Sequence, residues 1–317
     1  MIVNDIPYVA ELLRKGELVG IPTETVYGLA ANALDDKAVV RIFEAKNRPF
    51  FDPLIVHIAS VNQLDTYALD IPDKAWKLAH AYWPGPLTLV LQRQAVIPDL
   101  VTSGLDTVGL RVPNHPATLD LLSRLDFPLA APSANPFGYI SPTTAQHVAD
   151  QLEQKIAAVL DGGPCTVGVE STIVHCAYDG TVTILRQGGL ALEAIQDCVG
   201  EVNVRVHSES NPSAPGMLAS HYAPRTPLVI GNIEQVLREN NTLKMGYISL
   251  QTMYSEFPGM QLSTHGDLAE AARHLFATMR TMDAEGYDCI VTELMPNQGI
   301  GRAINDRLNR AAAAPIL

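Results

Sequence analysis

The sequence is sparing with cysteine, with aromatic residues and with positive charge. Its four cysteines, Cys165, Cys176, Cys198 and Cys289, show no C-x-x-C spacing and no paired histidines. That argues against a zinc site, and reduced thiols in a cytoplasmic protein are the simpler expectation. No segment is long and apolar enough to span a membrane. The first residues lack a basic stretch followed by an apolar core, so no secretory signal is expected. Lys and Arg number 22 against 34 Asp and Glu, for a net charge of −12. This balance opposes broad nucleic-acid binding but leaves room for a local basic pocket. Aromatic residues, 6% of the chain, are scattered and not interleaved with a basic stripe, as a nucleic-acid surface would require. There are no internal repeats, low-complexity tracts or G-x-x-x-x-G-K-[ST] phosphate loop. What is present is a 47% hydrophobic chain of 317 residues, enough for one large and one small α/β domain.

The chain is organised around residues 21–57. Residues 18–21 form a short apolar run that reads as a buried strand, ended by Pro22, which cannot donate to a sheet ladder. Thr23, Glu24, Thr25, Tyr27 and Gly28 follow. Asp35 and Asp36 cap an expected helix through Ala45. Pro49 and Pro53 disfavour helical geometry at Arg48 and Asp52, so 46–53 is expected to be an extended loop carrying Lys46, Arg48 and Asp52 on one side. A strand over 54–58 then carries His57. Hydroxyls, two cations, a carboxylate and an imidazole so gathered suit an anionic ligand beside an amino-acid-like one.

Along the chain, Asn4-Asp5 opens a helix closed by Gly16, and Pro72 opens one reaching Trp83, whose Trp76, Ala79 and Trp83 read as core. A strand over 87–91 follows Pro84-Gly85-Pro86. In 108–112, Val108, Leu110 and Val112 share one strand face and Gly109 and Arg111 the other. A buried arginine needs a partner, either an internal salt bridge or a substrate carboxylate held by its fork. Strand 128–131 runs into Pro132-Ser133-Ala134-Asn135, small polar groups at a strand end. Ser141 belongs to the cap of the next helix or to a ligand. Strands are expected at 156–160, after Gly168-Val-Glu-Ser171, and at 181–185, the last of this domain, with Arg186 at its end. A turn-rich segment from 208 continues into Pro215-Gly-Met-Leu-Ala-Ser-His221-Tyr222. Beyond Pro227, strands at 228–230, 245–249 and 289–293 alternate with helices at 233–238, 269–282 and 300–313. Gly299-Ile-Gly301 imitates half of a dinucleotide fingerprint but lacks its third glycine.

Pro-Thr-Glu-Thr-Val-Tyr-Gly-Leu at 22–29, Lys-x-Arg-Pro at 46–49, Pro-Leu-x-x-His at 53–57, Trp-Pro-Gly-Pro-Leu-Thr at 83–88 and the His221-Tyr222 stretch occur in an order that resembles the YrdC/Sua5 family of threonylcarbamoyl-AMP synthases, in its longer Sua5-type form. The resemblance implies a YrdC-like twisted mixed-sheet catalytic domain over 1–204, an interdomain linker and lid over 205–226, and a small Rossmann-like α/β domain over 227–317. It implies condensation of L-threonine, bicarbonate (or CO2) and ATP, carrying Mg2+, to threonylcarbamoyl-AMP. The product would pass to a tRNA threonylcarbamoyl transferase, with no direct tRNA binding expected of this chain. It further implies threonine contacts at Thr25, His57, Arg111 and Ser171. ATP contacts would fall at Arg48, Asp52, Thr107, Ala131, Ser133, Ser141, Arg186 and Tyr222, with Lys46 and Arg48 as the catalytic cations and no protein-made metal site. Two positions depart from the family pattern: Asn47 replaces a glycine, and Asp52 replaces an asparagine. An aspartate there would repel a triphosphate unless paired with a cation or close to the metal. The rival readings are an RNA-binding module and the carbamoyl-adenylate chemistry of hydrogenase maturation or antibiotic carbamoylation. The first lacks a basic stripe, and the second needs extra domains that this chain does not carry.

Overall fold

The computed structural model describes residues 1–205, 215, 221–240 and 242–313. Of the expected linker and lid, residues 206–214 and 216–220 lie outside the described residues.

Two sheets organise the chain. The larger has eleven strands in the order Ile2–Val3, Ala158–Leu160, Val19–Ile21, Gly28–Asn32, Leu129–Ala130, Ile55–His57, Thr107–Arg111, Leu87–Gln92, Thr172–Cys176, Val182–Arg186 and Asn203–Val204. Parallel and antiparallel pairings are interspersed along it, so it is a mixed sheet. Its central strands are buried on both faces, and their apolar runs follow from that. The smaller sheet is all-parallel, in the order Leu228–Ile230, Cys289–Thr292, Met245–Ser249 and Gly259–Gln261. Neighbouring residues in it point to opposite faces. Tyr247 and Val291 pack with Ile233 and Leu237 of the helix Ile233–Glu239. Ile248 and Ile290 pack with the helices Leu268–Ala284 and Gly301–Ala312. Inserting the strand Cys289–Thr292 between the first two strands of this unit sets it apart from a dinucleotide-binding sheet. Gly301 serves packing, since a Cβ there would meet the Pro296 carbonyl oxygen at 2.1 Å.

Helix starts follow their capping residues. Asp5 accepts from the Tyr8 N–H, Asp35 from Lys37 and Asp267 from Glu270, each satisfying an orphan donor. Thr144, not Ser141, caps the helix Ala145–Leu152, which frees the Ser141 hydroxyl for another partner. The expected extended loop at 46–53 is instead compact. Lys46 is the last residue of the helix Asp36–Lys46, and Asn47 turns left-handed at φ 52°, with its N–H on the carbonyls of Glu44 and Phe43. The Arg48 N–H returns to Phe43 O at 2.9 Å, closing the helix as a glycine at that position does. Asparagine tolerates this conformation better than other side chains do, which accounts for Asn47 in place of the family glycine. Several elements are not anticipated from the sequence: the strands Ile2–Val3, Gly28–Asn32, Asn203–Val204 and Gly259–Gln261, and the helices Leu64–Tyr67, Asp99–Thr102 and Leu192–Val199.

The two units share a packed seam. Val26, Ile140, Val169 and Tyr222 belong to the same apolar cluster as Phe276, Ile304 and Leu308. Tyr139 donates to Asp283 at 2.6 Å, Arg273 to Thr166 O at 3.1 Å and Arg280 to the carbonyl of Ile140.

Candidate active site

The chain leaves the strand Val19–Ile21 through Pro22 and folds into a hydroxyl-closed turn. The Thr23 hydroxyl accepts from the N–H groups of Thr25 and Val26 and donates to Val26 O at 2.6 Å. This points Thr25 at Arg111, whose Nη2 donates to Thr25 Oγ1 at 2.9 Å. The same Nη2 lies 2.7 Å from Glu24 Oε1, with both side chains 5% exposed, and Nε donates to Gly85 O at 3.3 Å. The buried arginine thus has an internal partner and also opens onto a cavity of about 540 Å3, its mouth included.

Strand register supplies the next group. The strand Ile55–His57 runs parallel to Thr107–Arg111 with His57 opposite Arg111, so imidazole and guanidinium face the same space. Burial first, and the adjacent Arg111 second, push the His57 pKa down to about 3, leaving it a neutral polar contact. At the start of the strand Thr172–Cys176, the Ser171 hydroxyl meets Thr88 at 2.8 Å and receives Arg186 Nη2 at 3.2 Å. Thr25, His57, Arg111 and Ser171 therefore all line one cavity, together with Arg48, Ala131, Ser133, Arg186 and Tyr222.

Four expected residues do not line it. The Lys46 ammonium is buried against the carbonyls of Ser133 and Asn135. It ties the helix Asp36–Lys46 to the 132–136 loop, and burial with the nearby Arg48 pulls its pKa down. Asp52 pairs with Arg48 at 2.9 Å, both side chains being almost fully buried, so its charge is answered within the protein. Thr107 lines an adjoining apolar cavity of about 280 Å3 with Gly109 and Ile55. Ser141 donates to Glu170 Oε1 at 2.5 Å.

Three carboxylates at the site, Glu24, Asp52 and Glu170, are each matched by an arginine, the last by Arg307 at 2.8 Å. Arg186 instead holds neutral oxygens, Ser171 O, Ser171 Oγ and Pro215 O. The site thus holds one guanidinium more than its three carboxylates match, a balance that favours an anion.

Sequence reasoning did not place Glu170 or Arg307 at the site, and it put His221 in the lid without a contact of its own; His221 lines the cavity. Glu170 stood in plain view beside Ser171. Arg307 had a signal too: Ala303, Ile304, Leu308 and Ala311 form the buried stripe of the helix Gly301–Ala312, and Arg307 falls on that stripe.

Comparison with known proteins places the chain. A family model described as telomere recombination, covering the Sua5, YciO and YrdC proteins, matches residues 11–188. A second, described as the C-terminal domain of threonylcarbamoyl-AMP synthase, matches residues 190–313. The chain is 43% identical to the threonylcarbamoyl-AMP synthase of Pyrococcus abyssi, over 97% of this chain and 94% of that one. It is 41% identical to that of Bacillus subtilis, over 97% and 93%. The crystal structure of P. abyssi Sua5 complexed with L-threonine superposes with a TM-score of 0.94 at 41% identity, covering 98% of this chain and 97% of the other. The fold and site define a YrdC-type α/β protein with an anion-accepting cavity. Within that class, the chain belongs to the Sua5/YrdC family, in its two-domain Sua5 form.

Proposed function

We infer that this chain condenses L-threonine, bicarbonate or CO2, and ATP to threonylcarbamoyl-AMP with release of pyrophosphate. That product is the activated intermediate for N6-threonylcarbamoyladenosine in tRNA. The observation that carries the reading is a single cavity in which Thr25, His57, Arg111 and Ser171 face Arg48, Ser133, Arg186 and Tyr222.

Arg111 takes the threonine carboxylate. Its Nε and Nη2 are committed to Gly85, Thr25 and Glu24, and the Nη1 side is left for the ligand. Thr25, Ser171 and neutral His57 set the amino acid's orientation. The threonine amine adds to CO2 and loses a proton, and the resulting carbamate presents an oxygen to the α-phosphorus of ATP. The O–P bond forms as the bond to pyrophosphate breaks, and pyrophosphate carries off the electron pair. Arg48 and Arg186 stabilise the charge moving onto it, while Lys46 fixes the Ser133 loop against which the nucleotide sits. Holding two anions in line is most of the catalytic task, and it requires no covalent nucleophile. The one cysteine near Glu24 and Arg111, Cys165, has its thiol pKa pushed up by burial, which supports direct attack.

Magnesium (Mg2+) enters on the triphosphate. The nearby carboxylates are each taken up by an arginine, and no cluster of three or more His, Cys, Asp or Glu able to hold a metal occurs among the described residues. When bound, the ion would spread the triphosphate charge. The adenylate then passes to a tRNA threonylcarbamoyl transferase in the cytoplasm. No described helix is long and apolar enough to cross a membrane.

The test is pyrophosphate and adenylate formation by the purified chain from ATP and magnesium. Product is expected only when threonine and bicarbonate are both present. Equal pyrophosphate release without an amino acid would overturn the reading in favour of a nucleotide hydrolase.

A further inference from the structure

One charge in the cavity wall is answered from the other half of the chain. Glu170 immediately precedes Ser171, lines the cavity and is almost fully buried. Its Oε1 accepts from the Ser141 hydroxyl at 2.5 Å, and its Oε2 from Arg307 Nε at 2.8 Å. Arg307 belongs to the helix Gly301–Ala312 of the C-terminal unit, and its side chain is fully buried. Nη1 donates to Gln187 O at 2.9 Å, next to Arg186, and to Asp306 at 2.7 Å. The guanidinium carbon stands 5.0 Å from the centre of the Tyr222 ring, which also stacks on Phe276.

A helix that only needed to dock would place an apolar side chain at position 307. Replacing a buried ion pair with well-packed apolar groups is commonly neutral or stabilising. The arginine stands where three parts of the cavity meet: the Glu170 carboxylate, the turn after Arg186 and the Tyr222 ring. An uncompensated carboxylate in that wall would repel any polyanion entering the cavity.

We propose that Arg307 is a positioning residue of the nucleotide subsite. By pairing with Glu170, it lets this wall accept a triphosphate, and it fixes the Ser141 hydroxyl and the Tyr222 ring. The C-terminal unit thus contributes a charge to the site as well as an anchor. This rests on the adenylate-forming reading given above. Arg307 touches no reacting atom; it acts through Glu170 and Tyr222. The pairing also predicts a specific dependence: loss of Arg307 is harmful chiefly because Glu170 remains.

The experiment compares Arg307→Met, alone and combined with Glu170→Gln, in the full chain. Magnesium–ATP binding is measured by calorimetry without threonine, and KM for ATP and for threonine by pyrophosphate release. Arg307→Met is expected to weaken ATP binding at least about tenfold, equivalent to about 1.4 kcal/mol, with a smaller change in threonine KM. Adding Glu170→Gln is expected to recover most of that loss, and Arg307→Lys to stay closer to wild type, because it keeps the charge. Unchanged ATP binding in Arg307→Met would overturn the proposal. So would a double variant as weak as the single one, which would leave Arg307 a docking residue only. If Arg307→Met fails to fold by circular dichroism, Arg307→Gln is read by the same criteria. A wild-type chain that binds ATP but releases no pyrophosphate with threonine and bicarbonate would count against the parent reading. The ATP titrations would still decide the role of Arg307.

Discussion

Arg111 joins the stability of the fold to the chemistry of the cavity, and the two can be separated. Its Nη2 serves Glu24 at 2.7 Å and Thr25 at 2.9 Å, and Glu24 is 5% exposed. Arg111→Met leaves the Glu24 carboxylate buried and unpaired. Breaking a buried pair from one side is worth about 3–5 kcal/mol, most of it the penalty on the charge left behind. Glu24 does not line the cavity, and both its carboxylate oxygens are shielded from solvent, so the whole of that range applies here. Adding Glu24→Gln removes the stranded charge, and most of the lost stability should return. Threonine recognition should not return with it. The charge-assisted pair to the substrate carboxylate is worth about 1.5–3 kcal/mol, a rise of roughly tenfold or more in threonine KM. The assay is urea unfolding at pH 7 beside threonine-dependent pyrophosphate release, for wild type, Arg111→Met and Arg111→Met/Glu24→Gln. The reasoning fails if the double variant recovers stability and threonine KM together, since Arg111 would then be a structural group whose loss only distorts the site. It fails equally if Arg111→Met folds well and keeps the wild-type threonine KM.

Four further outcomes can be checked. Arg48→Ala should raise KM for ATP at least about tenfold and leave that for threonine less affected, as read by steady-state pyrophosphate release, because its lost bonds are charge-assisted. Tyr222→Ala should weaken ATP binding in calorimetry, because the ring between Phe276 and Arg307 forms part of the cavity wall. Burial holds the pKa of both His57 and His221 down to about 3. The unfolded chain binds those protons below about pH 6.5 while the folded chain does not, so stability should fall as pH drops from about 6.5 toward 4. Each histidine should contribute up to about 1.4 kcal/mol per pH unit, and urea melts of His57→Gln should show a shallower slope than wild type. Asn47→Gly should fold at least as stably as wild type, whereas Asn47→Val should lose about 1–2 kcal/mol, because φ is 52° there and branched side chains resist that region.

What was legible in the sequence is what local chemistry decides. Pro22 and Pro53 mark where strands begin or end, and Asp5 and Asp35 mark helix starts. The paired signals of apolar run and breaker gave the order of most strands and helices. Elements without such punctuation went unread. The strands Asn203–Val204 and Gly259–Gln261 are two and three residues long, too short for alternation to register, and they hold their place by pairing with the strands Val182–Arg186 and Met245–Ser249. The 46–53 loop went wrong for a different reason. Two prolines argue for extended backbone, but one asparagine in the left-handed region turned the chain back at once and brought Arg48 onto Asp52.

The site was legible to the extent that its residues follow strand ends. Thr25, His57, Arg111 and Ser171 each sit in or beside a strand, and their convergence is a consequence of sheet order that a linear reading cannot supply. The register that sets His57 opposite Arg111 is the clearest case, since 53 intervening residues separate the two positions. Charge pairing was less legible still. A buried carboxylate has no sequence signature of its own, so Glu24 and Glu170 read as polar neighbours of more familiar residues. Yet burial makes their partners almost obligatory, and each partner comes from a distant element: Arg111 from a central strand, Arg307 from the final helix. Arg307 was the one the sequence could have disclosed, as a charge set among Ala303, Ile304, Leu308 and Ala311 on the buried face of its helix. A charge in that position implies a buried partner elsewhere in the protein, and the partner here lines the cavity.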